Sequence, residues 1–164
     1  FFCIKGGVNM FKFMNKQDGG IVSPIDGKCI NIEDVPDKVF STRMMGDGFA
    51  IIPSDNIVVS PVDGIIVMIP NSKHAFGIKT RSGVEILVHV GLDTVNLKGR
   101  GFETFVKVGD KVKKNMPILK FDDNIMDEMN IDKTTMVIFT AGYNQSIKLE
   151  CYDREVHRGD TLIK

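Results

Sequence analysis

A five-residue pattern occurs twice in this chain, as Ser23-Pro24-Ile25-Asp26-Gly27 and as Ser60-Pro61-Val62-Asp63-Gly64, each time leading into an apolar run. Five positions with one conservative change point to an internal duplication. Asp-Gly between apolar runs is a strong hairpin signal. Gly-Asp recurs beside strand-like runs at Gly46-Asp47, Gly109-Asp110 and Gly159-Asp160. Turns therefore fall every 8–12 residues or so, the spacing of a β-sandwich or barrel. The expected fold is all-β: a single-domain antiparallel β-sandwich or barrel-like fold with an internal duplication and one or two short helical turns.

The helical turns are expected in two places. Asp122-Asp123-Asn124-Ile125-Met126-Asp127-Glu128-Met129 places acidic residues first, with an Asp as cap. Val35-Pro36-Asp37-Lys38-Val39-Phe40 suggests another short turn. Thr135–Phe139, Gln145–Leu149 and Thr161–Ile163 read as late strands. Residues 18–164 form one domain, because no linker or low-complexity segment interrupts them. Residues 1–17 read as a peripheral N-terminal extension; Phe1-Phe2-Cys3-Ile4 is too short and lacks the basic start of a signal peptide.

Composition narrows the function. The formal net charge is zero and 26% of residues are charged, so no basic excess suggests nucleic acid. No apolar run approaches the roughly 20 residues of a membrane helix. Cys3, Cys29 and Cys151 are scattered, with no CxxC spacing. A disulfide framework is not expected, and a reducing cytosol fits best.

The chemistry concentrates in the stretch from Ser72 to Gly91. Phe76-Gly77-Ile78 and Val84-Glu85-Ile86-Leu87-Val88 read as two strands joined at Arg81-Ser82-Gly83. A two-residue loop at Arg81-Ser82 sets His74 directly opposite His89. A loop at Ser82-Gly83 sets His74 opposite Gly91, with His89 diagonal to it on the same face. Either register brings the two imidazoles to one surface. A three-residue loop shifts the parity and separates them. Paired imidazoles suit metal binding, acid–base chemistry, or a nucleophile with a charge-steering neighbour. A zinc hydrolase would need a third ligand. The remaining histidine, His157, lies in a surface-like turn, and no HxxxH or HxH pair occurs. A carrier domain with a lysine at a hairpin tip finds no matching tip here.

His74-Ala75-Phe76, the run Gly83-Val84-Glu85-Ile86-Leu87-Val88-His89-Val90-Gly91-Leu92-Asp93-Thr94-Val95, and Leu97-Lys98-Gly99-Arg100-Gly101-Phe102 resemble the glucose-type enzyme IIA domain of the bacterial sugar phosphotransferase system. The resemblance continues in Val35–Phe40, Met45–Ile51, Ser60–Gly64 and Val108–Val112, and spans roughly residues 18–164. It implies a compact antiparallel β-sandwich that is a phosphotransferase component of the cytoplasm. The family takes a phosphoryl group from the phosphohistidine of HPr and passes it to a cysteine on the IIB domain of a membrane sugar permease. By motif, His89 would be phosphorylated and His74 would support the phosphoryl group. Ser72 stands where the family usually has a Thr that orients the supporting histidine. Asp37 and Asp93 match acidic residues flanking the site. Val39, Phe40, Met44, Met45, Leu87 and Val95 match the apolar ring that docks partners, and Pro70 replaces an expected aromatic at its edge. No cofactor is implied, although His74 and His89 are compatible with regulatory zinc when a partner supplies a carboxylate. Regulatory targets beyond the permease occur in some bacteria of the family, and membrane association would be only indirect, through the permease.

Overall fold

The computed structural model describes residues 19–164; the expectations for residues 1–17 lie outside the described residues. Among the described residues thirteen strands alternate with very little helix. They are β1 (Ile21–Val22), β2 (Gly27–Asn31), β3 (Asp47–Pro53), β4 (Ile57–Val59), β5 (Gly64–Met68), β6 (Ala75–Lys79), β7 (Glu85–Val90), β8 (Phe102–Thr104), β9 (Lys111–Val112), β10 (Pro117–Phe121), β11 (Thr135–Ala141), β12 (Glu155–Val156) and β13 (Thr161–Ile163). An eight-stranded antiparallel sheet runs β12-β2-β3-β11-β7-β6-β5-β9. A three-stranded sheet, β4-β10-β8, and a two-stranded one, β1-β13, complete the sandwich.

Alternation of side chains across the large sheet creates two apolar clusters. The main core takes Phe49, Ile51, Phe76, Ile86, Val88 and Val137 from the large sheet, and Ile21, Val58, Ile118, Phe121 and Ile163 from the small ones. The opposite face carries a second cluster, including Ala50, Ala75, Leu87, Met136 and Ile138, closed over by Ile32, Val35 and Phe40. The covering segment is a 3-10 turn, Ile32–Asp34, followed by α1 (Lys38–Ser41). The helix α2, Asp123–Glu128, starts where expected, with the Asp122 carboxylate accepting from the Asn124 N–H at 2.9 Å.

The duplication extends well beyond the five-residue pattern. Ser23 and Ser60 are both fully buried, and each hydroxyl donates to the carbonyl two residues on, Ile25 at 2.8 Å and Val62 at 2.6 Å. Val22 N–H donates to Pro61 O, and Val59 N–H donates to Pro24 O, so the two copies clasp each other. Asp26 accepts from Arg158 N–H at 2.7 Å, and Asp63 from Lys114 N–H at 2.8 Å. Gly27 pairs with Val156 and Gly64 with Val112. Val22 pairs with Thr161 and Val59 with Pro117. The centre of the large sheet shows the same two-fold order: Thr135 faces Val90, Val137 faces Val88, and Phe139 faces Ile86.

Three expectations need correction. The Asp-Gly steps do not form hairpins; they carry the chain from a small sheet into the large one. Their glycines are required because a Cβ would meet the adjacent strand, 2.1 Å from Ile52 O at Gly27 and 2.6 Å from Lys79 O at Gly64. Gln145–Leu149 is not a strand. Ile147 and Leu149 are buried as an apolar strand's would be, but the Ile147 N–H bonds the Asp47 carboxylate at 2.8 Å instead of a neighbouring strand. The loop of the central hairpin has three residues, not two: Thr80 N–H donates to Val84 O, and Gly83 N–H to Thr80 O. Gly83 turns with φ of +97°, a left-handed conformation that glycine adopts at little cost. The partner of His89 is accordingly Ala75, and by strand parity alone His74 belongs on the other face.

Candidate functional site

His89 lies in the middle of a row of side chains on the second face of the large sheet. Reading across paired strands, the row is Ile30, Ala50, Met136, His89 and Ala75. The small side chains of Ala50 and Ala75 leave room above the sheet. Phe40 of α1 fills part of it, its ring centroid 5.0 Å from that of His89 at 56°. The helix is short and depends on its cap: the Asp37 carboxylate accepts from Val39 N–H at 2.9 Å. Asp37 thus anchors the segment that presses Phe40 onto the imidazole.

His74 reaches the same place by another route. It precedes β6 at a bend, just after Lys73, whose φ is +56°. Outside the regular strand, alternation does not dictate where its ring points. Its carbonyl still accepts from Val90 N–H at 2.8 Å, so the bend is tied to β7. The two rings meet edge to face, with centroids 4.7 Å apart and planes at 79°. The proximity expected from hairpin register is present, but strand parity does not produce it: His74 lies at a bend before β6, outside the regular pairing.

Ser72 Oγ lies 2.7 Å from His74 Nδ1. That contact occupies Nδ1 and leaves Nε2 as the available nitrogen of this ring. His89 Nδ1 is sealed from solvent and has no partner in full hydrogen-bond geometry, although the Gly91 backbone is close enough to favour a proton on the ring. Burial depresses the His89 pKa to about 4, and the neighbouring His74 adds to the effect. The Gly91 backbone and the Asp37 carboxylate oppose it less strongly. Burial also lowers the pKa of His74. Both rings are therefore neutral near pH 7, the state in which imidazole has a lone pair to offer.

The surrounding residues divide into two groups. Val39, Met44, Met45 and Val95 are 40%, 73%, 40% and 54% exposed, an apolar rim that water covers in the isolated chain. Phe40 and Leu87, expected in the same docking ring, are only 5% and 6% exposed and pack in the second apolar cluster. Asp93 is exposed at a left-handed position, φ 59°, ahead of the 3-10 turn Thr94–Leu97. Pro70 is half-buried, its carbonyl accepting from Lys73 N–H in the turn before His74. His157 takes no part: it is an exposed turn residue beside Asp160. Among the described residues no group of three or more His, Cys, Asp or Glu side chains could hold a metal ion. Any ion between His74 and His89 would need donors from elsewhere. No helix among the described residues is long and apolar enough to cross a membrane.

Residues 19–144 match the family described as phosphoenolpyruvate-dependent sugar phosphotransferase system, EIIA 1. The chain belongs to this family. Over 120 residues it is 49% identical to the glucose-specific EIIA component of Bacillus cereus, a match covering 73% of each chain. It is 47% identical over 132 residues to the glucosamine-specific EIICBA component of Bacillus subtilis, covering 80% of this chain but 21% of that larger protein. The solved glucose permease IIA of Mycoplasma capricolum shares the sandwich: TM-score 0.79, 40% identity, 90% of this chain and 95% of that one. An EIIA component can thus stand in a short chain or within a long permease, and this EIIA chain has the β-sandwich common to both the sequence reading and that solved relative.

Proposed function

We infer that this EIIA chain is a phosphoryl carrier in which His89 takes the group from the phosphohistidine of HPr and gives it to a cysteine on the IIB domain of a glucose-type permease, at the cytoplasmic side of the membrane. One observation supports the reading above the rest: two neutral imidazoles packed edge to face at 4.7 Å, one of them held at Nδ1 by a hydroxyl. A proton on His89 Nδ1, facing the Gly91 backbone, leaves the Nε2 lone pair for attack on phosphorus. The new N–P bond forms as the donor's N–P bond breaks, and no general base is needed. Phosphoryl transfer of this kind depends on alignment and charge neutralisation. His74 is placed to stabilise charge on the phosphoryl oxygens, with Ser72 fixing its ring.

The exposed rim of Val39, Met44, Met45 and Val95, with Asp37 and Asp93 at its margin, suits partners that must bind briefly and leave. Names among the relatives that join EIIA to IIB and IIC in one chain support a permease partner. The test is incubation with phosphoenolpyruvate and the upstream phosphocarriers, followed by intact mass measurement. One added acid-labile phosphoryl group is expected. His89→Gln should abolish it. His74→Gln should still accept a phosphoryl group and fail to pass it on. Mass gain in the His89→Gln protein would sink the assignment.

A further inference from the structure

Away from the histidines, two of the three cysteines meet. Cys29 in β2 is fully buried, and Cys151 is half-buried in the segment leading to β12. Their Sγ atoms are 3.2 Å apart. The backbone holds them there: Cys29 N–H donates to Arg154 O at 2.9 Å, and Asp153 N–H donates to Cys29 O at 2.7 Å. Arg154 N–H closes the turn onto Cys151 O at 3.0 Å. A disulfide requires about 2.0 Å between sulfurs, so an approach of roughly 1 Å completes the bond. On the outer side, Cys151 lines an open cleft of about 260 Å³ with Glu150, Arg154, Thr161, Leu162 and Lys164. A small oxidant can reach one sulfur of the pair while the other stays sealed in the core.

We propose that Cys29 and Cys151 form a peroxide-sensitive thiol pair, with Cys151 the reacting thiol and Cys29 the resolving one, and that the resulting disulfide fastens the C-terminal segment to β2. The asymmetry of the pair assigns the roles. A proton retained on buried Cys29 and shared with Cys151 favours the thiolate at Cys151, and Arg154 reinforces it; the hydrogen bond with Cys151, and then burial, hold Cys29 in its thiol form. The Cys151 thiolate attacks one oxygen of hydrogen peroxide, forming an S–O bond as the O–O bond breaks and hydroxide leaves to become water. The Cys29 sulfur then attacks the Cys151 sulfenic acid, forming the S–S bond, and the hydroxyl leaves as water with the Cys29 proton. Two thiols are oxidised by two electrons and one peroxide becomes two waters. The bond links residues far apart in sequence, the arrangement that most restricts the unfolded chain.

The experiment uses the full chain carrying Cys3→Ser, treated with dilute hydrogen peroxide under native conditions. The expected product has lost the mass of two hydrogens and yields a linked Cys29–Cys151 peptide pair on non-reducing digestion. Its thermal midpoint should rise by roughly 5–15 °C and return on addition of dithiothreitol. Adding Cys29→Ser should leave Cys151 as a sulfenic acid that dimedone traps; adding Cys151→Ser should leave nothing for dimedone. The proposal is overturned if the folded protein is unchanged by peroxide, if Cys151 is driven to the sulfinic acid while Cys29 stays free, or if the bond forms without moving the midpoint.

Discussion

Ser72 Oγ stands 2.7 Å from Nδ1 of His74, and that contact leaves Nε2 as the available nitrogen of the ring. Removing the hydroxyl leaves His74 in place but free to rotate. Ser72→Ala should therefore keep phosphoryl acceptance by His89 and slow onward transfer about 10-fold or more, the usual cost of losing such an orienting partner. Single-turnover transfer to an isolated IIB domain reads the effect. Ser72→Thr should restore it; equal losses in Ser72→Ala and Ser72→Thr would count against an orienting hydroxyl.

The depressed pKa of His89 has a definite sign for stability. The ring binds a proton more readily in the unfolded chain, near pH 6.5, than in the folded one, near 4. Its contribution is fully present above about pH 6.5 and is lost as the pH falls towards 4. Chemical denaturation midpoints at several pH values should show native stability falling across this window more steeply than in His89→Gln. Parallel slopes for the two proteins would contradict the burial argument.

Phe40 both fills space and keeps water from His89. Phe40→Ala should destabilise the chain by about 3 kcal/mol, typical for truncating a buried Phe. It should also raise the pKa of His89, because desolvation is what depresses it most. An imidazole titration followed by NMR checks this directly; an unchanged His89 pKa would show that Phe40 is not what shields it.

Asp37 has two separable effects. Asp37→Asn keeps an oxygen to cap α1 and removes the charge, so stability should change little while the His89 pKa drops further. Asp37→Ala removes both and should cost about 1 kcal/mol in addition. Comparing urea midpoints and imidazole titrations of the two variants separates cap from charge.

Much of this arrangement was legible in the chain itself. The repeated Ser-Pro-x-Asp-Gly pattern does mark a duplication, and the acidic start at Asp122 does open a helix. Short-range signals failed where a distant strand decided the outcome. Gly27 and Gly64 looked like turn glycines but answer to the carbonyls of Ile52 and Lys79. Ile147 looked like a strand residue but donates its N–H to the carboxylate of Asp47, far back in the sequence. Counting loop residues could not place His74, because it lies at a bend before β6, where strand parity does not apply. The meeting of Cys29 and Cys151 had no sequence signal, since neither spacing nor flanking residues mark a contact between a strand and a segment 122 residues further on.

The two-fold order of the large sheet has one last implication. Val88 and Val137 face each other at its centre, so each position on β7 and β6 has a counterpart on β11 and β3. The counterpart of His89, which faces Ala75, is Ile138, which faces Gly48; that of His74 is Asp47. Ile138 is packed away, and Asp47 is tied to Ile147, Gly48 and Arg43. A frame assembled from two like halves thus carries paired imidazoles on one half alone among the described residues, and the other half serves as the buttress against which that half is held.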